Sequence, residues 1–354
     1  MAKTVYVGLS GGVDSSVAAA LLKQQGYDVV GVFMKNWSKD LPGFPCPWKE
    51  DYQDAKRVAV QLGIPFKMYD FETEYRQKVV DYMVAEYQAG RTPNPDIMCN
   101  QEVKFKLFLE TALADGADLI ATGHYARVNK IRDSVFYLRT ARDFEKDQSY
   151  FLYRVTEQAL ARSLMPIGEF KAKAEVRALA KKFGLVTAEK KDSQGICFVG
   201  KVGIKEFLDN ELGPQKPGKI VDDQGRAIGE HQGAIYYTIG QRHGLNVGGG
   251  LPYYVTGKDM RKNQVYVTTD LNDQNLWHKK LTLTDVHWIN GMPNVKARTF
   301  HIRMRYRAPL VACTVAVAGD TLQVALSEEV RAITPGQSAV IYDDSQVLGG
   351  GIVV

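Results

Sequence analysis

The segment Ser10-Gly11-Gly12-Val13-Asp14-Ser15-Ser16 constrains this chain more than any other. It follows the apolar run Thr4 to Leu9 and opens a helical pattern from about Asp14 to Gln25, closed by Gly26. Glycines between a strand and a helix let the backbone approach an anion, which the first N–H groups and the positive helix end then hold. A Walker loop carries a Lys before its final Ser/Thr, and a dinucleotide fold carries G-x-G-x-x-G; this loop has neither, so both are excluded. Asp14 falls where the helix dipole alone favours a carboxylate, and a place on Mg²⁺ is the alternative reading.

The pattern after the loop alternates strands and helices. Asp28 to Phe33, Pro65 to Asp70 and Asp118 to Thr122 read as strands; Glu50 to Leu62, Glu72 to Ala89 and Glu102 to Ala114 read as helices, with a further helix from Phe170 to Phe183. This predicts a doubly wound α/β parallel sheet whose ligand lies where strands end and helices begin. From Lys201 a short helix gives way to β patterns, with Asp223-Gln224-Gly225 as a hairpin turn and Gly248-Gly249-Gly250 as a break. Beyond Leu281 only strands are visible: His301 to Arg307, Cys313 to Ala318, Thr321 to Leu326, Ser338 to Tyr342 and Gly350 to Val354. Such spacing predicts a small closed β-barrel. The expected division is a catalytic α/β domain over 1–200, a small β-rich central domain over 201–280 and a C-terminal β-barrel over 281–354.

With 354 residues, 45% of them hydrophobic and 24% charged, the chain can bury two or three cores. No window approaches the ~18 apolar residues of a membrane span, so no membrane partner is expected. Met1 to Val7 runs straight into a strand pattern with neither a signal core nor a transit segment, which makes the expected compartment cytoplasmic. The net charge of +5 permits an anionic partner. Five of the six Lys/Arg after Leu281 lie between Lys296 and Arg307. The two-residue period of a strand would set Arg303, Arg305 and Arg307 on one face, where they could follow phosphates.

Four cysteines, Cys46, Cys99, Cys197 and Cys313, form no C-x-x-C pair, so no metal site is expected. Cys99 lies in the proline-marked loop Asn94-Pro95-Asp96-Ile97-Met98-Cys99-Asn100, just before the helix expected near Glu102. A positive helix end there would lower its pKa and leave it exposed to substrate. Cys197, in Lys191-Asp192-Ser193-Gln194-Gly195-Ile196-Cys197-Phe198, sits in an equally polar stretch. Cys313 alternates with apolar neighbours and reads as a buried structural residue; Cys46 reads as incidental.

The S-G-G-x-D-S-S loop resembles the pyrophosphate loop of ATP pyrophosphatases, enzymes that split ATP between its α and β phosphates and activate an oxygen as an adenylate. Taken with N-P-D-I-M-C-N, A-T-G-H-Y-A-R, K-D-Q-S-Y-F-L, D-S-Q-G-I-C-F, R-Y-R and T-P-G-Q, in that order, the whole sequence resembles the bacterial tRNA-specific 2-thiouridylases. The resemblance implies ATP-dependent 2-thiolation of the wobble uridine of tRNA: adenylation of the C2 oxygen, then displacement of AMP by sulfur. It implies a persulfide on Cys197, loaded by a sulfur-relay carrier protein or a cysteine desulfurase. Cys99 then attacks that persulfide and ends in a transient disulfide with Cys197, 98 positions away. Asp96 is implied as acid/base, with Asn94 and Pro95 shaping the base pocket.

For ATP, used with Mg²⁺, the resemblance implies Gly8, Leu9, Ser10, Gly11, Gly12, Val13, Asp14, Ser15, Met34 and Gly123. For tRNA it implies Asn94, Pro95 and Asp96 at the target base, together with His124, Lys146, Asp147, Gln148, Arg305, Tyr306 and Gln337. Two other readings share these motifs. An ATP-dependent ligase with a nitrogen nucleophile would use the same loop and need neither thiol, and a non-catalytic RNA-binding module would need only the barrel.

Overall fold

The computed structural model describes residues 2–41, 43, 45–131, 135–191, 203–245, 247–248, 250–296 and 298–354. Its first strand, β1 (Thr4–Gly8), is buried from Val5 onward because it pairs in parallel on both sides and carries helices on both faces. On one side lie β2 (Asp28–Lys35) and β3 (Phe66–Asp70), on the other β4 (Leu119–Ala121) and β7 (Ser163–Leu164), in the order β3-β2-β1-β4-β7. Val5, Val7 and Leu9 pack with α1 (Val13–Gln24) and α2 (Trp48–Leu62), and with the last helix of this domain, over Lys173–Lys182. Tyr6 points the other way, into a cluster made by α3 (72–88) and α4 (95–114). The Lys173–Lys182 helix is α5. Val5 and Val7 are fully buried, and each contributes about 1.5–3 kcal/mol of apolar burial. The doubly wound expectation holds, and the strand order reverses between β1 and β4, where such sheets bind ligands.

Two helices depart from the expected form. α4 opens at Pro95 instead of near Glu102, with Pro95 in the first turn, so the Asn94–Asn100 segment is not a loop. Its stretch Cys99–Leu107 is wound as a π-helix, as is Arg76–Val80 in α3. An antiparallel hairpin, β5 (Ala126–Ile131) and β6 (Val135–Thr140), follows β4 where the sequence reading assigned no strands.

The central strands β8 (Gly218–Val221), β9 (Ala227–His231), β10 (Tyr254–Asp259) and β11 (Gln264–Thr268) form a second sheet, with the expected turn between β8 and β9. Gly249 of the glycine break lies outside the described residues.

The third sheet holds β12 (Trp277–Trp288), β13 (Phe300–Arg303), β14 (Val311–Ala318), β15 (Thr321–Arg331), β16 (Ser338–Asp343) and β17 (Gln346–Val353). Pairing of β12 with both β15 and β17 closes these six into a barrel. Alternate residues Val311, Cys313 and Val315 face its core. A Cβ on Gly350 would lie 2.3 Å from the Ala339 carbonyl oxygen, which explains a glycine inside a strand read as starting only there. The expected strand His301 to Arg307 is corrected: β13 ends at Arg303, and Arg305 and Arg307 lie in the turn beyond it. The hairpin of the first domain extends the barrel sheet through β6 beside β17, with Thr140 N–H donating to Ser345 O at 2.8 Å.

Candidate functional site at the sheet switch point and the barrel junction

The phosphate loop is held by its own side chains. Ser15 and Ser16 hydroxyls donate to the Gly12 carbonyl at 3.2 and 2.7 Å, and Ser10 N–H donates to Ser15 Oγ at 3.2 Å. Gly12 stands at the N-cap of α1 without a capping side chain, so the first-turn N–H groups face outward for an anion. Gly11 has φ +74°, and a Cβ there would lie 2.4 Å from the Asp51 carbonyl oxygen. Gly123, just past β4, lets that strand end reach the first turn of α1: a Cβ would lie 2.6 Å from Ser15 N. Gly8 and Met34 meet at the ends of β1 and β2, where a Cβ on Gly8 would lie 2.9 Å from Met34 Cε. Leu9 and Val13 are buried in the core, so only their backbone can face a nucleotide.

Asp14 is engaged by two residues that sequence reading missed. Lys173 Nζ lies 2.7 Å from both carboxylate oxygens, and the Tyr125 hydroxyl donates to Oδ1 at 2.8 Å. Both partners lie more than a hundred positions away, and no spacing rule connects them.

Across the domain, α4 carries Asp96 and Cys99. Asp96 is half-buried, and burial pushes its carboxyl up while Lys104 pulls it the other way. Cys99 is 2% exposed within the apolar cluster beside Val103 and Phe105, which corrects the expectation of an exposed thiol. Cys197 lies outside the described residues. Asn94 would ordinarily cap α4 with its side chain. Here it turns to the barrel instead: Nδ2 donates to Gln337 Oε1 at 3.2 Å, and Oδ1 accepts from Ser338 N at 2.9 Å. Gln337 Nε2 donates to Thr92 O at 2.7 Å, and the Tyr150 hydroxyl donates to Ser338 O at 2.8 Å. Pro95 is buried beside them.

The expected tRNA contacts divide. His124 is buried against Phe105 with Nδ1 2.8 Å from Thr122 Oγ1, and burial holds its imidazole well below the usual range. It is therefore neutral. Asp147 is anchored internally: it is 2% exposed, accepts from Ala141 N and Ser149 N, and pairs with Arg303 at 3.1 Å. Gln148 is bonded to the Tyr125 backbone both ways, at 2.9 and 2.8 Å. Arg305 is half-buried, and its Nη2 donates to Ile239 O at 3.1 Å, to Ala332 O at 2.6 Å and to Thr334 Oγ1, tying central domain to barrel. Tyr306 packs on Phe151 with centroids 4.5 Å apart. Lys146 and the exposed Arg307 line a surface cleft with Arg303 and with Phe144, itself 75% exposed. The expected single basic face is thus broken up.

A parallel sheet with a glycine loop at its switch point, closed against a β-barrel by an Asn–Pro–Asp helix start, defines an α/β nucleotide-site domain of the HUP class joined to a barrel module. Family models agree along the chain: a tRNA methyl transferase HUP domain over residues 3–201, a tRNA methyl transferase PRC-barrel domain over 205–269 and an aminomethyltransferase beta-barrel domain over 278–353. The tRNA-specific 2-thiouridylase MnmA of Streptococcus sanguinis is 48% identical over 99% of this chain and 94% of its own length. The chain belongs to the tRNA-specific 2-thiouridylase family. More distant likenesses extend to a 4-thiouridine synthetase solved with RNA and bound ATP and to an NMN synthetase from Francisella tularensis. The first is 18% identical with a TM-score of 0.39, covering 59% of this chain and 50% of that one. The second is 17% identical with a TM-score of 0.36, covering 60% and 72%.

Proposed function

We propose that this chain is an ATP-dependent tRNA sulfurtransferase that converts the C2 carbonyl of the wobble uridine to a thiocarbonyl, giving 2-thiouridine, AMP and pyrophosphate. The observation that carries this reading is one junction: the helix start bearing Asn94, Asp96 and Cys99 is bonded to barrel residues Gln337 and Ser338, in the same domain as the phosphate loop. Oxide is a poor leaving group, so the C2 oxygen must first become an adenylate. The outward N–H groups of α1 suit the departing pyrophosphate. Ser10, Gly11, Gly12 and Ser15 bind the phosphates, and Gly8, Leu9, Met34 and Gly123 bound the adenosine end.

Among the described residues no group of three or more metal-ligating side chains occurs, and Asp14 is the carboxylate at the loop. That donor set fits Mg²⁺ arriving with ATP, a hard ion that keeps phosphate and water oxygens as most of its ligands. It would neutralise phosphate charge there, with Asp14 as the protein ligand.

Sulfur comes from a persulfide on Cys197, supplied by a sulfur-relay carrier or a cysteine desulfurase. The Cys99 thiolate attacks Cys197 Sγ, the persulfide S–S bond breaks, and the released sulfide attacks the adenylated C2 and expels AMP, leaving a Cys99–Cys197 disulfide that reductant resets. Asp96, with its raised pKa, suits proton transfer at the thiol or at uracil N3. The target base must leave the stack of its anticodon loop to enter. Lys146, Tyr306, His124 and Gln337 bound the tRNA path, while Asp147, Gln148 and Arg305 act by fixing the loops around it. We assign the reaction to the cytoplasm, and no helix of the described residues is long and apolar enough to cross a membrane. The domain limits 1–200, 201–280 and 281–354 remain part of this proposal.

The test is incubation of the protein with ATP, Mg²⁺, a persulfide source and unmodified tRNA, followed by digestion to nucleosides. Wild-type protein yields 2-thiouridine, and Cys99→Ser or Cys197→Ser yields none. Conversion of ATP to AMP that gives no 2-thiouridine with wild-type protein and survives both substitutions points to the ligase reading. Absence of product and of tRNA-stimulated conversion of ATP to AMP points to a binding module.

A further inference from the structure

We propose that Lys173 is a second phosphate-binding group of the nucleotide site, one that exchanges the Asp14 carboxylate for a β- or γ-phosphate oxygen of ATP and so turns Asp14 toward the accompanying Mg²⁺. The proposal rests on the reading of the loop as an ATP site. Three observations carry it. Lys173 Nζ sits 2.7 Å from both Asp14 oxygens at the first turn of α1, beside the uncapped N–H groups that would hold the phosphates. A carboxylate there repels a triphosphate, and the ammonium cancels that repulsion before it ever touches the ligand.

Second, the pair is not sealed in the core: the Asp14 and Lys173 side chains keep 30% and 13% of their exposure. Exchange of one anionic partner for another at such a site costs little beside the desolvation that a buried pair would demand. Third, the backbone of Lys173 is fixed while its side chain is long. Its N–H donates at 3.0 Å to Asp143, a carboxylate only 8% exposed that also accepts from Glu145 and Lys146 N–H groups. Motion is thus confined to four methylenes, and an ammonium with three donors is able to bridge carboxylate and phosphate during the exchange. Tyr125, itself bonded to Gln148, keeps a hydrogen bond on Asp14 throughout.

The test measures equilibrium binding of ATP with Mg²⁺, and separately of AMP, to the full-length protein without tRNA or sulfur donor. Lys173→Met is expected to weaken ATP about tenfold or more and AMP less than about twofold, because AMP lacks the phosphates in question. Lys173→Gln is read in the same way should the Met variant fold poorly. The charge-neutral double variant Asp14→Asn, Lys173→Met is expected to remain weak for ATP, and Asp14→Asn alone to raise the Mg²⁺ concentration needed for ATP binding. Equal losses for ATP and AMP, or recovery of wild-type ATP affinity in the double variant, would overturn the proposal in favour of a structural ion pair. The ATP-to-AMP ratio decides this whether or not the wild-type protein makes 2-thiouridine, so the two readings fail separately.

Discussion

Asn94 and Gln337 stand 243 positions apart and are joined by a 3.2 Å hydrogen bond. One belongs to the start of the helix that carries Cys99, the other to the turn that enters β16, and their contact sets the barrel against the first turn of α4. The adjoining bond from Ser338 N to Asn94 Oδ1 makes the Asn94 side chain a substitute for backbone pairing.

Replacing Asn94 by Ala strips that acceptor from Ser338, which is 3% exposed. An orphaned buried donor costs about 1–3 kcal/mol, so chemical denaturation should show a loss of that size. Gln337→Ala should cost less, since Gln337 and Thr92 are only half-buried and the contact with the Pro93 carbonyl is long at 3.4 Å.

Asp96 gives a sign that can be checked. Burial raises its folded-state pKa above the unfolded value, so the folded state holds the proton more tightly. The resulting penalty is absent below the unfolded pKa, grows as pH rises through the folded pKa and persists at neutral pH. Asp96→Asn should therefore be more stable than wild type at pH 7, with the advantage shrinking in acid, while 2-thiouridine formation collapses. Thermal denaturation across pH together with the nucleoside assay reads both; a variant less stable at pH 7 would contradict burial as the cause of the raised pKa.

The Asp147–Arg303 pair is buried on both sides, with side chains 1% and 12% exposed. Removing one member leaves the other charged in a dry site, at a cost of about 3–5 kcal/mol. Asp147→Ala should cost more than Arg303→Met, because Asp147 also accepts from Ala141 and Ser149 N–H groups. A double-mutant cycle on melting temperatures should show strong coupling.

Arg307 and Arg303 should behave differently toward tRNA. Arg307 is exposed on the cleft with Phe144 and Lys146, whereas Arg303 is committed to Asp147. Arg307→Ala should lower the slope of log affinity against log salt by about 0.7–0.9, the value of one phosphate contact, and Arg303→Met should leave it unchanged. Titration of labelled tRNA at several salt concentrations checks both.

Legibility followed range. The S-G-G-V-D-S-S turn, the strands around it and the β-rich character after Leu281 could be read because each is set by neighbours in sequence: glycine at φ +74°, apolar runs, two-residue alternation. The β5–β6 hairpin escapes such reading, because Val135-Phe136-Tyr137-Leu138 is a continuous apolar run without strand alternation and its pairing with Ala126–Ile131 shows only in the fold. The start of α4 at Pro95 is hidden from such reading because proline both punctuates loops and opens helices at their first turn. Arg303, Arg305 and Arg307 show the limit of periodicity. Their spacing fits a strand face, yet the chain turns after Arg303, and two of the three charges are spent on Asp147 and on one carbonyl each of the central domain and the barrel.

Sequence by itself determined which chemistry is on offer: an anion loop without a Walker lysine, two distant cysteines, a carboxylate three residues before one of them, and a barrel module. Tertiary structure alone decided which charges are available for it. Lys173 reaches Asp14, Asn94 reaches Gln337 and Asp147 is withdrawn into the interior, because a side chain's partner is chosen by the folding of whole strands and helices past one another, and desolvation makes those long-range pairings obligatory once they are buried.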